Sequence, residues 1–100
     1  MTTDDRNLTL RTLDVLELLC GFAATGASNS DLAGAANTTA THITRCMAQL
    51  VAKGWARKDE GNGRFYPTAQ FTRLAFSVLA DFEAAERRLA DSKHNFTNGL

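Results

Sequence analysis

Ser28-Asn29-Ser30-Asp31-Leu32-Ala33-Gly34-Ala35-Ala36-Asn37-Thr38-Thr39-Ala40-Thr41-His42-Ile43-Thr44-Arg45-Cys46-Met47-Ala48-Gln49-Leu50-Val51-Ala52-Lys53-Gly54 is the stretch whose reading decides the fold. Ser30 suits an N-cap, and Asp31 behind it favours the positive end of a helix dipole. Asp31 to Ala36 then makes about two helical turns. Asn37 tolerates the left-handed backbone that a tight turn needs. Thr38 and Thr39 are both candidate N-caps for a second helix. In it Ile43, Cys46, Met47, Leu50 and Val51 recur at helical steps, and Gly54 closes it. Two helices separated by a few residues, the second apolar on one side and polar on the other, predict a helix-turn-helix. The competing reading is a plain helical hairpin, because threonine and alanine are common on any exposed helix face.

The residues on either side weigh against that competitor. Upstream, Leu13, Leu16 and Cys20 interleave with Val15, Leu19 and Phe22, while Arg11, Asp14 and Glu17 take the other face. This predicts a helix from about Thr9 to Phe22, its end bracketed by Gly21 and Gly26. Downstream, Trp55 to Lys58 and Arg64 to Pro67 flank Glu60-Gly61-Asn62-Gly63, residues that accept the backbone angles of a hairpin loop. Pro67 suits the end of an edge strand. From Thr68 to about Ser92 the pattern is again helical, with Ala75, Val78, Phe82, Ala85 and Leu89 alternating three and four apart. The expected organisation is a loose N-terminus over 1–8, a winged helix-turn-helix over 9–67, a C-terminal helix over 68–92 and a loose tail over 93–100. The fold class is mainly α with a small β-hairpin.

Bulk properties narrow the function. The chain has 100 residues, 44% of them hydrophobic and 22% charged, as an ordinary globular domain has. Its longest apolar run, Val15 to Ala24, is interrupted by Glu17 and Gly21 and is too short for a bilayer. The polar, acidic opening does not read as a secretory signal. Cys20 and Cys46 sit in apolar helical patterns, which suits buried free thiols in a reducing cytoplasm. The formal net charge is zero, which argues against an indiscriminate polyanion binder. Its distribution is uneven. Residues 1–35 carry two basic groups against five acidic ones, residues 36–74 six against two, and residues 75–100 three against four.

The helix-turn-helix and the hairpin lie in that basic middle third, where the sequence resembles a known family. Ser28 to Ala33, Asn37 to Arg45, Gln49 to Trp55 and the Gly63-Arg64-Phe65-Tyr66 wing resemble the N-terminal DNA-binding domain of IclR-type regulators. Leu13 to Leu19 resembles that family's opening helix, so the likeness covers roughly residues 9–75. It implies a winged helix-turn-helix that binds double-stranded DNA to regulate transcription. Family members normally continue into an effector-binding domain; that part is not matched, so no small-molecule effector is expected.

The same site follows from the residues themselves. Ile43, Met47 and Leu50 would anchor the second helix, leaving Thr41, Thr44, Arg45 and Ala48 on the free face with His42 and Gln49 on its flanks. Arg45 can fork onto a guanine edge or hold a phosphate. Thr39 and the other threonines can bond phosphates or offer methyls to thymine, and Ala40 permits close approach. Arg57, Lys58 and Arg64 on the wing face phosphates or the minor groove.

Phe71, Leu74, Ala75, Val78, Phe82, Ala85 and Leu89 form a stripe too apolar for a solvated helix, which points to a homodimer. The alternative is that this helix folds back over the first one. A two-fold dimer would read an inverted repeat, with repression by occupancy the expected output. Enzymatic function is not expected. Asp14 with Glu17 and Glu83 with Glu86 are surface pairs, and no nucleophile stands beside a base. His42 and Cys46 are spaced to share a ligand, but two groups do not make a metal site, so neither metal nor cofactor is expected. The remaining rivals are a winged-helix protein-interaction module without DNA binding and a non-specific architectural DNA binder.

Overall fold

The computed structural model describes residues 3–98. In chain order it contains α1 (Thr3–Cys20), α2 (Asn29–Ala36), α3 (Ala40–Lys53), β1 (Ala56–Lys58), β2 (Phe65–Pro67) and α4 (Gln70–Asn98). The chain divides into two compact units, Met1–Gln70 and Phe71–Leu100.

In the first unit α1, α2 and α3 pack on one another, and α1 and α3 also pack on the β-hairpin. The core is the shared apolar side of the three helices: Val15, Leu16 and Leu19 from α1, Leu32 from α2, and Ile43, Cys46, Met47 and Leu50 from α3. Ala27 and Ala56 close it beneath the hairpin. Val51, expected in the same stripe, is 42% exposed. It lies at the stripe's edge, where α3 turns toward the hairpin and opens a groove.

Local chemistry fixes each boundary. Ser28, and not Ser30, is the N-cap of α2: its hydroxyl accepts from the Asp31 backbone N–H at 3.0 Å. The Asp31 carboxylate in turn accepts from the Ser28 N–H at 3.0 Å. This reciprocal capping box satisfies two N–H groups that a free helix end would leave orphaned. Asn37 ends α2 in the left-handed conformation (φ 53°), as expected, and the Thr38 N–H closes back onto the Ala33 carbonyl at 3.0 Å. Arg11 reaches across from α1 to the Ala36 carbonyl at 3.1 Å, placing a cation at the negative end of α2. Of the two candidate caps for α3, Thr39 serves, accepting from the His42 N–H at 3.1 Å. Gly54 (φ 90°) terminates α3.

β1 and β2 pair antiparallel with Arg57 opposite Tyr66. Phe65 also exchanges two backbone hydrogen bonds with Ala27, both at 2.9 Å, so the chain before α2 adds a third rung to the ribbon. The loop is tied internally by Asp59, whose Oδ1 accepts from the Gly61 and Asn62 N–H groups at 2.7 and 3.1 Å. Gly63 takes a positive φ of 71° there. The observed architecture is a winged helix-turn-helix plus a long C-terminal helix, the expected fold class.

Helix bounds differ from expectation at both ends. α1 is already helical at Thr3, within the expected loose segment 1–8, and the Thr12 hydroxyl donates to the Leu8 carbonyl at 2.6 Å in the helical i, i−4 pattern. Residues 1–2 lie outside the described residues. α4, nearly the whole second unit, runs 29 residues to Asn98, about 44 Å at 1.5 Å per residue. It passes through the expected tail, where Thr97 donates to the Lys93 carbonyl at 3.0 Å and the Asn98 amide meets the His94 ring at 2.8 Å. Residues 99–100 lie outside the description. α4 has no buried residue among those described.

Candidate nucleic-acid interface

With Ile43, Cys46, Met47 and Leu50 turned into the core, the opposite side of α3 is presented to solvent. Thr41, Thr44, Arg45 and Ala48 are all exposed there, as are Thr39 and Ala40 at its N-terminal end. Arg45 makes no hydrogen bond or ion pair among the described residues, so its guanidinium is available in full. Thr44 is partly committed, donating to the Ala40 carbonyl at 3.0 Å and accepting from the Asn29 amide at 2.9 Å.

The remaining predicted residues separate. Gln49 lies on the α1 side, lining a depression with Leu8, Thr12 and Leu13. His42 is half-buried, and its Nε2 is enclosed without a hydrogen-bond partner. The three wing cations go three ways. Lys58 lies over the Phe65 ring at 5.8 Å and faces α3 across a groove. Arg57, its neighbour on β1, points to the opposite face of the ribbon, as alternation along a strand requires, and lies over the Tyr66 ring at 4.6 Å. Arg64 is committed to the body: it donates to the Gly26 carbonyl at 3.0 Å and pairs with Asp31 at 3.4 Å. That contact ties the wing to the start of α2.

The groove between α3 and the wing measures about 620 Å³, bordered by Asn29, Thr44, Met47, Val51, Lys58 and Phe65 among others. Asn29 is the residue that sequence reasoning missed. Its Nδ2 holds Thr44 while its Oδ1 is enclosed and without a partner. The missed signal was the capping box: reading Ser28 as the cap puts Asn29 on the first turn of α2, beside α3.

Electrostatics around the site are mild. Hydrogen bonds from the Ser28 backbone and side chain, with the nearby Arg64 charge assisting, hold the Asp31 carboxyl below its usual range against a small opposing effect of burial. Burial, assisted by Glu17, pushes the Cys20 thiol up, away from the reactive thiolate. Among the described residues no group of three metal-binding side chains converges. Nor is any helix there long and apolar enough to cross a membrane.

No protein-family model matches the chain, and no curated protein matches it. Among solved structures it is similar to an IclR family transcriptional regulator from Brucella abortus, with a TM-score of 0.63 and 24% identity. The match covers 73% of this chain and 27% of that one. The shared fold is the winged helix-turn-helix. The match thus spans about a quarter of that neighbour's length.

Proposed function

We propose that this protein is a sequence-specific double-stranded DNA-binding transcription regulator that acts as a homodimer on an inverted repeat, most simply as a repressor by occupancy. The observation that carries the reading is the free outer face of α3, where Arg45 stands uncommitted between Thr41 and Ala48. A helix held by its inner face and clear on its outer one can enter a major groove. Lys58 adds a phosphate contact from the wing, and Thr39, Ala40 and Thr44 line the approach. Arg57 reaches a different stretch of backbone. Arg64 acts through the wing's position, because its charge is already paired. The fold shared with a transcriptional regulator supports the same reading.

The exposed stripe of α4 supports the homodimer. Leu74, Val78, Phe82 and Leu89 are all more than half exposed in the single chain, an arrangement that association relieves. One observation favours a second reading: the groove beside α3 is lined by Met47, Val51 and Phe65, which suits a protein partner.

Selection from random duplex DNA, followed by binding of the enriched site at two salt concentrations, separates these readings. An enriched inverted repeat, bound less tightly at higher salt and lost in Arg45→Ala, supports the regulator. No enrichment and no binding at low salt refute it in favour of the interaction module. Salt-dependent binding without sequence preference points to an architectural binder.

A further inference from the structure

The apolar seam of α4 steps alternately by three and four from Ala75 through Val78, Phe82, Ala85 and Leu89. Because the helix is continuous to Asn98, the seam carries on through Ser92 to Phe96, which is 75% exposed. A strict seven-residue repeat over this length is the pattern of a left-handed coiled coil. Its two flanks each carry an acid followed by a base seven residues on. One carries Asp81 and Arg88, the other Glu86 and Lys93.

We infer that α4 pairs with α4 of a second copy in antiparallel orientation. This rests on the homodimer reading above and specifies its geometry. In a parallel pair each flank meets the opposite flank of the partner helix, five residues further along. Asp81 would then face Glu86 of the second copy and Arg88 would face Lys93, so both meetings join like charges, each repeated by the two-fold axis. In the antiparallel pair like flanks face each other. Asp81 meets Arg88 of the second copy, Arg88 meets Asp81, and Glu86 meets only Leu79.

Side-chain size points the same way. The antiparallel register sets Phe82 against Ala85 of the second copy and Val78 against Leu89, so the central layers join a larger group to a smaller one, with Phe71 meeting Phe96 at each end. A parallel pair would crowd Phe82 on Phe82 and leave Ala85 facing Ala85, one layer overfilled and the next void. The two-fold axis passes near residues 83 and 84. The overlap from Ala75 to Ser92 is about 27 Å of helix on each side.

The test is sedimentation of the full chain as wild type, Asp81→Arg, Arg88→Asp and the double variant. All the changes are at exposed positions, which leave the fold of the chain intact. Antiparallel pairing predicts that each single reversal weakens the dimer about tenfold and that the double variant recovers to within about threefold of wild type. Parallel pairing reverses the sign, because each single change turns a repulsion into an attraction. Tighter dimers in the single variants, or a wild type that stays monomeric, overturn the proposal.

Oxidative cross-linking checks the register independently. With Cys20→Ser as background, a mixture of the Ala75→Cys and Ser92→Cys chains forms a disulfide-linked dimer that neither forms alone. Efficient self-linking of Ser92→Cys alone means a parallel pair. DNA binding is scored separately. An antiparallel dimer that binds no duplex refutes the regulator and leaves this pairing standing, whereas a monomer that binds duplex does the reverse.

Discussion

Helices α3 and α4 carry the same kind of apolar stripe and meet different fates. In α3 the stripe closes on α1, α2 and β1, and Ile43, Cys46 and Met47 are essentially inaccessible. In α4 Phe82 and Leu89 remain 63% and 72% exposed. A helical period announces that a face is to be covered and does not say by what. Where the chain supplies the cover, the stripe builds a core. Where it does not, the stripe is a surface that a second molecule can complete.

The comparison breaks most easily by truncating one residue on each helix. Ile43→Ala leaves a cavity in a closed core and should cost about 2–5 kcal/mol. Thermal unfolding should show the loss at every protein concentration. Leu89→Ala removes a side chain that the single chain leaves in water. Its effect should appear as a weaker dimer, and as a lower melting temperature only where the dimer is populated. Equal, concentration-independent losses in both variants would mean that α4's stripe is covered within its own chain.

A smaller effect tests how the wing is fixed to the helical body. Gly26 has a φ of 76°, and a Cβ there would stand 2.6 Å from the Tyr66 ring. That ring cannot simply turn aside, because its hydroxyl bonds the Thr25 carbonyl at 3.3 Å and takes the Asn62 amide at 3.1 Å. Gly26→Ala should therefore cost about 1–3 kcal/mol in chemical denaturation. Gly34→Ala, in a helix with open space around the added carbon, should be neutral or stabilising by up to about 1 kcal/mol. The pair separates a required glycine from a tolerated one.

Much of this was legible beforehand because local chemistry and global fold agree. Asn37, Thr39 and Gly54 punctuate the two helices as their residue types predict, and the Gly-rich loop between Trp55 and Pro67 does form a wing. The departures have local causes. Ser28 and Ser30 are equally good caps by type, and only the partner three residues on, Asp31, decides for Ser28. Arg57, Lys58 and Arg64 read as one basic cluster in sequence, yet strand alternation and the Gly26 carbonyl send them to three places. The groove beside α3 was not legible, since Asn29, Val51 and Phe65 come from different elements. Nothing in their spacing brings them together.

Capping supplies a third test, smaller again. Ser28→Ala removes the hydroxyl that accepts from the Asp31 N–H and keeps the backbone N–H that the Asp31 carboxylate accepts, so a loss of about 0.5–2 kcal/mol is expected. Ser30→Ala lies on the exposed face of α2 and should change stability by less than about 0.5 kcal/mol. The reverse order would reassign the cap.

The smallest effect is a pH dependence that belongs to the same box. Hydrogen bonds from Ser28, then the Arg64 charge, hold the folded Asp31 carboxyl below its unfolded value. A group whose folded value is lowered binds protons more readily when unfolded, so its contribution is complete above the usual carboxylate range, near pH 4. It declines as pH falls through that range toward the lower folded value, because protonation then favours the unfolded chain. Stability measured from pH 6 down to pH 2 should accordingly fall more steeply in wild type than in Asp31→Asn, where the titrating group is gone. If Asp31→Asn follows the wild-type curve throughout, the carboxylate is not held by Ser28 in solution.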